Sequence, residues 1–94
     1  MRYITKYTVG DLGTDTELLL DEHAEILDVG IEYDSAALVD VVVFWAFNVD
    51  GAPTTPRTFR AIGTGWEVPE DGVHVGTAKQ GFIERHLIER TKED

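Results

Sequence analysis

Period-2 alternation of apolar and polar residues constrains this chain more than any other feature, because it recurs along nearly its whole length. Successive side chains of a strand point to opposite faces, so the pattern asks for extended segments with one dry side. Tyr3, Thr5, Tyr7 and Val9 share one face, opposite Arg2, Lys6 and Thr8. Leu18 and Leu20 continue the pattern after the turn Gly10-Asp11-Leu12-Gly13. From Glu25 to Tyr33, Leu27, Val29, Ile31 and Tyr33 face one way, and Asp28, Gly30 and Glu32 face the other.

Leu38 to Phe47 differs, with Val39, Val41, Val43, Trp45 and Phe47 on one face and Leu38, Val42, Phe44 and Ala46 on the other, interrupted by Asp40. β-branched and aromatic residues on both sides predict a central strand buried on two sides, or one whose second side is covered by a second copy or a partner. A loop over Asn48–Pro56 leads to a strand over Thr58–Gly63. Val73–Thr77 and Phe82–Glu89 then form a hairpin through Lys79-Gln80-Gly81. Phe82, Ile83, His86, Leu87 and Arg90 also fit helical spacing, but a strand gives Val73–Thr77 its partner. The tail Arg90–Asp94 is expected to fray. Short strands separated by Gly and Pro predict an all-β fold, a small antiparallel sandwich or partly open barrel of about six or seven strands. Asp21-Glu22-His23-Ala24-Glu25 leaves room for one short helical turn, with Asp21 as its cap.

At 94 residues the chain suffices for one domain spanning 1–94. It has no cysteine, so disulfides and thiol chemistry are excluded, and a reducing compartment fits. Its longest apolar run, Val41–Phe47, is far shorter than the ~20 residues of a spanning helix, and the N-terminus does not resemble a signal peptide. A cytoplasmic protein without a membrane partner is expected. Eighteen acids against eight Lys and Arg give a formal charge of −10. Between Tyr7 and Pro56 stand eleven acids and no Lys or Arg. That field repels phosphate backbones, which argues against direct nucleic-acid binding, and it attracts basic proteins. Solubility alone accounts for the same charge.

Two places can carry chemistry. Gly63-Thr64-Gly65-Trp66, with Arg57 and Arg60 upstream, places backbone N–H groups, two cations and an aromatic face near one turn. These six residues are the candidate site for a nucleotide-like anion. The segment lacks the Lys-Ser/Thr of a phosphate loop, and a tight bend with Trp66 packed beneath it explains the glycines equally well. His74 and His86 fall opposite each other, near Glu84, if the last hairpin centres on Gln80. Further ligands at metal spacing are missing, so no metal or other cofactor is assigned. The chain's only serine is Ser35, outside any nucleophile motif, and a non-enzymatic role is expected.

Lys6-Tyr7, Ala24-Glu25-Ile26-Leu27-Asp28-Val29, Trp45-Ala46, Arg57-Thr58-Phe59-Arg60, Gly63-Thr64-Gly65-Trp66-Glu67-Val68-Pro69, Val75-Gly76-Thr77, Gly81-Phe82 and His86-Leu87 with Glu89 occur in this order. Together they resemble an uncharacterised family of small bacteriophage proteins, a domain of unknown function among phage accessory genes. The chain departs from that pattern in a longer insert around Glu32–Val39 and in charged Glu84-Arg85, where apolar or aromatic residues are commoner. The resemblance implies a phage origin, cytoplasmic expression in an infected bacterium and no established activity. It directs attention to Lys6-Tyr7, the Gly63-Thr64-Gly65 turn and His86. Three functions are then open: binding of a host or phage protein, with homodimerisation; sequestration of a nucleotide-like anion by an oligomer; and mimicry of DNA by the acidic first half.

Overall fold

The computed structural model describes residues 1–91. Seven strands follow one another: β1 (Arg2–Thr8), β2 (Thr16–Asp21), β3 (Glu25–Asp34), β4 (Val39–Val49), β5 (Thr54–Gly63), β6 (Gly72–Gln80) and β7 (Ile83–Arg90). All pairings are antiparallel. They form a three-stranded sheet in the order β1-β4-β3 and a four-stranded sheet in the order β2-β5-β7-β6. The expected all-β class holds as a two-sheet sandwich that does not close into a barrel. Lys92–Asp94, the end of the tail expected to fray, lie outside the described residues, whereas Arg90 is paired in β7.

The core lies where the inner faces meet. Phe44 of the first sheet and Phe59 of the second are fully buried, with ring centroids 4.7 Å apart. Val9, Leu20, Val42, Ala46, Ala61 and Leu87 complete the layer. Burying one such aromatic side chain contributes about 2–3 kcal/mol.

Four sequence expectations change here. No helix exists among the described residues. Asp21-Glu22-His23-Ala24 is a turn in which the Asp21 carbonyl accepts from Ala24 N at 2.8 Å and its carboxylate from His23 N at 2.9 Å. Asp21 thus uses the acceptor chemistry of a cap without a helix to cap. A bulge between Ile26 and Asp28 shifts the parity of β3: Ile26 packs on the core, and Leu27 is turned outward. Strand β5 begins at Thr54, inside the expected loop. Pro56 is tolerated because its pairing is with β2 only, the register with β7 starting at Thr58. The last hairpin turns on Gly81-Phe82 and not on Gln80, since Gln80 pairs with Ile83.

Asp21 also stitches the sheets together. Its other carboxylate oxygen accepts from Val49 N at 2.9 Å, and buried Asn48 accepts from Asp21 N while donating to the Tyr7 hydroxyl. The backbone N–H bonds from His23 and Val49 hold the Asp21 carboxyl below its ordinary range. A depressed folded value means that the stabilisation is complete above the unfolded carboxyl value, about pH 4, and disappears as pH falls through the folded one. Asp21→Asn is therefore expected to be less stable at pH 7 and to show a shallower loss of stability below about pH 4 in urea titrations. Unchanged acid dependence in the variant would show that Asp21 is not the linked group.

The outer face of the three-stranded sheet bears the apolar stripe expected of β4. Val43 is sealed, Val41, Trp45 and Phe47 are half-buried, and Val39 and Val49 are exposed. Much of the cover comes from within. Lys6 of β1 reaches Glu32 of β3 at 2.8 Å across β4, Arg2 lies 4.9 Å from the Phe47 ring centroid, and Trp45 rests on Gly30. A Cβ on Gly30 would stand 3.1 Å from the indole, which is why a glycine faces it. The stripe is neither fully open nor closed over.

Candidate functional site

The outer face of the four-stranded sheet carries a second apolar layer that alternation alone did not reveal. Ile62 of β5 and Ile88 of β7 point away from the main core yet are almost completely buried. The connection from Thr64 to Asp71 folds back over them and is held by ion pairs. Arg90 bonds Asp71 at 2.7 Å and Asp15 at 3.1 Å, and Asp15 also takes Arg60 at 2.8 Å. Between this connection and the sheet lies a cleft of about 370 Å³, lined by Ile62, Gly63, Trp66, Val68, His74 and Ile88 among others.

The turn owes its form to its glycines. Gly65 has φ 88°, a value costly for other residues. Trp66 lies back over Gly63, where a Cβ would come within 3.0 Å of the indole Nε1. Its other edge meets Gly13, and half of the residue stays exposed. Packing against the turn, the plainer account of Trp66, is thus present together with an open aromatic face.

Beside the cleft runs a chain of polar side chains. His74 Nε2 is 2.9 Å from Thr77 Oγ1, and Thr77 Oγ1 is 2.9 Å from His86 Nδ1. His86 Nε2 is 2.9 Å from Thr64 Oγ1, which donates to Glu84. Lys79 approaches the other Glu84 oxygen at 3.4 Å. The Thr64 hydroxyl and then the Lys79 ammonium hold the Glu84 carboxyl below its ordinary range. Proton counting assigns the direction of the Glu84 end of the chain. Ionised Glu84 takes the Thr64 proton, so Thr64 accepts from His86 Nε2–H. On the far side of His86 the Thr77 hydroxyl lies between His86 Nδ1 and His74 Nε2 and links the two rings.

The two histidines come together by a different route from direct pairing. In the observed register His86 faces Thr77, and a bulge between His74 and Gly76 brings His74 opposite Ile88. The rings are diagonal neighbours with centroids 5.5 Å apart. Thr77 stands between them. Among the described residues no group of three or more His, Asp or Glu side chains is placed to hold a metal ion.

The six residues of the candidate anion site separate. Gly63, Gly65 and Trp66 line the cleft, and Thr64 joins it to His86 and Glu84. Arg57 points to the inner face, where it pairs with both Glu89 oxygens at 2.7 Å and donates to the Ala24 carbonyl at 2.9 Å. The Glu89 bond raises its already high pKa. Arg60 is on the outer face but spent on Asp15. The two cations are neutralised in place, and neither lines the cleft. AMP is therefore expected to leave the melting temperature unchanged. A ligand at a hundred times its Kd adds about 2.7 kcal/mol, so a clear rise would show that the arginines are free to bind phosphate. Thr77, Asp15 and Asp71 were not candidates from the sequence. The only signals were the hydroxyl at Val75-Gly76-Thr77 and the acid in Glu70-Asp71-Gly72.

The chain belongs to the DUF7352 family, a domain of unknown function, whose match covers residues 1–94. No curated protein and no solved structure matches it.

Proposed function

We propose that this is a non-enzymatic accessory protein of phage origin that acts in the cytoplasm of the infected cell by binding a host or phage protein through the outer face of the β1-β4-β3 sheet. The observation that carries this reading is the make-up of that face. An apolar row of Val39, Val41, Trp45, Phe47 and Val49 runs along β4. Register places Arg2 and Lys6 on its β1 side and Glu25, Asp28, Glu32 and Asp34 on its β3 side. The Lys6–Glu32 strut over the row is exposed, worth at most about 1 kcal/mol, and so is easily displaced by a partner. A partner that offers an apolar ridge beside a basic strip suits this arrangement. Support for binding over catalysis comes from Thr64, whose proton is committed to Glu84 and not to an imidazole base.

The experiment is affinity capture from infected-cell lysate with the wild-type chain, Trp45→Lys and Trp66→Ala. Capture that survives Trp66→Ala and fails with Trp45→Lys supports the assigned face. Equal capture by all three overturns it.

The same charge arrangement favours homodimerisation when no partner is present. A two-fold axis parallel to β4 lays β1 of each copy over β3 of the other, setting Arg2 and Lys6 above the acidic strip. Light scattering is expected to show the mass of two chains at high concentration, falling towards one chain as salt is raised. A single-chain mass at every concentration would remove the dimer and leave the partner face intact. Mimicry of DNA finds less support. Asp21 is buried, Asp15 is spent on two arginines, and Asp11 and Asp50 lie at separate turns.

A further inference from the structure

Among the described residues, Arg85 is the one basic side chain that strand parity sends into the open end of the sandwich. It pairs across β5 with Gly63 and shares the inner face of β7 with buried Leu87. Between the sheets at this end lies a second cavity, of about 180 Å³, with Leu12, Ile31, Val42 and Ala61 as its apolar walls. Arg85, Asp11 and Asp40 also line it. Each of the other arginines bonds a carboxylate or covers an aromatic ring. Arg85 differs: its hydrogen bond is to the Glu84 carbonyl, at 3.1 Å, and it forms no ion pair among the described residues. Among the described residues Asp11 and Asp40 form none either. Asp40 lies on the core-facing side of β4 at its exposed end, two residues before buried Val42, and Arg85 stands two residues before buried Leu87, so Asp40 and Arg85 occupy positions where an apolar residue would extend the core.

We propose that this inter-sheet cavity is a binding site for a small apolar α-amino acid, with Arg85 taking the carboxylate, Asp40 and Asp11 the ammonium, and the apolar walls the side chain. Volume sets the size of the ligand. An apolar cavity of about 150 Å³ in another protein accepts benzene, so a branched four-carbon side chain fits one of this size. Charge sets its class. A guanidinium with no carboxylate partner selects a planar anion that accepts two parallel hydrogen bonds. Two acids at the same cavity oppose a simple anion and favour a ligand that also carries a positive group. An apolar amine satisfies the acids but leaves Arg85 unpaired, and an apolar carboxylate does the reverse. The zwitterion satisfies both. Val39 and Val41 of the outer row also border this cavity, but its charged groups Arg85, Asp11 and Asp40 are not among the residues assigned to the protein partner, so Arg85→Met tests this proposal and Trp45→Lys the other.

The experiment titrates the full-length protein with L-leucine, isovalerate and isoamylamine, following the methyl groups of Leu12, Ile31 and Val42 by NMR. The expected result is saturable shifts at those methyls with L-leucine at concentrations up to on the order of 10 mM, and binding at least tenfold weaker for the other two probes. Arg85→Met, which places an apolar chain on an inward position, is expected to keep the fold and weaken leucine at least tenfold. No leucine shift at these methyls overturns the proposal, as does isovalerate or isoamylamine binding as tightly as leucine. Unchanged leucine affinity in a folded Arg85→Met also overturns it. If that variant fails to fold, the comparison of the three probes on the wild-type protein decides alone.

Discussion

Replacing Phe59 with alanine is expected to lower the unfolding free energy by about 3–5 kcal/mol, the usual cost of emptying a closely packed aromatic site. The expectation rests on its position. Phe59 is fully buried, its ring is 4.7 Å from that of Phe44 on the facing sheet, and Arg57 lies 5.7 Å from its centroid. Its loss removes the aromatic contact at the centre of the two layers, and the strands on either side are too constrained by pairing to collapse into the void. Domains have only about 5–15 kcal/mol of stability in total, so the variant should melt well below the wild type and lose much of its urea midpoint. Phe82→Ala is the control. That side chain sits at the tip of the last hairpin in full solvent contact, and its truncation is expected to cost less than about 0.5 kcal/mol. Equal losses from the two substitutions would mean that the sheets are not packed through Phe59.

Trp45→Lys is expected to separate binding from folding. Truncating a central aromatic residue of an interface costs about 2–4 kcal/mol of affinity, a loss of thirtyfold or more, and a lysine adds a charge that the partner must desolvate. In the free protein Trp45 is half-buried, lying across Gly30 on an outer face. The core beneath it, Phe44 and Ala46, points the other way. The variant should therefore keep a cooperative transition within about 1–2 kcal/mol of the wild type while losing its partner. Titration calorimetry with the captured partner, next to urea denaturation of the same sample, reads both quantities. Retained affinity would move the interface away from β4, and wholesale unfolding would make Trp45 a structural residue.

Much of the fold was legible because alternation is a direct image of strand geometry. The faces of β1 and β4 follow the printed sequence residue by residue, from Tyr7 and Val9 to Phe44 and Ala46. Alternation fails where the backbone itself changes parity. The bulges near Leu27 and His74 each add one residue, which exchanges inside for outside downstream, and neither Ile26-Leu27-Asp28 nor His74-Val75-Gly76 marks it with a distinctive residue. Pro56 misled for a related reason. Proline usually ends a strand, but here it falls where β5 has a neighbour on one side only.

The site was legible in pieces. Gly63-Thr64-Gly65-Trp66 and the two histidines each stood out, yet their meeting depends on β5 and β6 flanking β7, a long-range choice that no local pattern encodes. The arginines were misassigned because sequence proximity to the turn says nothing about parity. Arg57 and Arg60 are three residues apart in a strand and so point to opposite faces, one to Glu89 and the other to Asp15.

The central claim is that the outer face of the three-stranded sheet is where another protein seats itself. Cross-saturation NMR from the captured partner to the methyl groups of this chain tests it most directly. Transfer concentrated on Val39, Val41 and Val49, with little at Val68 or Ile88, is the predicted result. Transfer centred on Val68 and Ile88, around the histidine cleft, would contradict it.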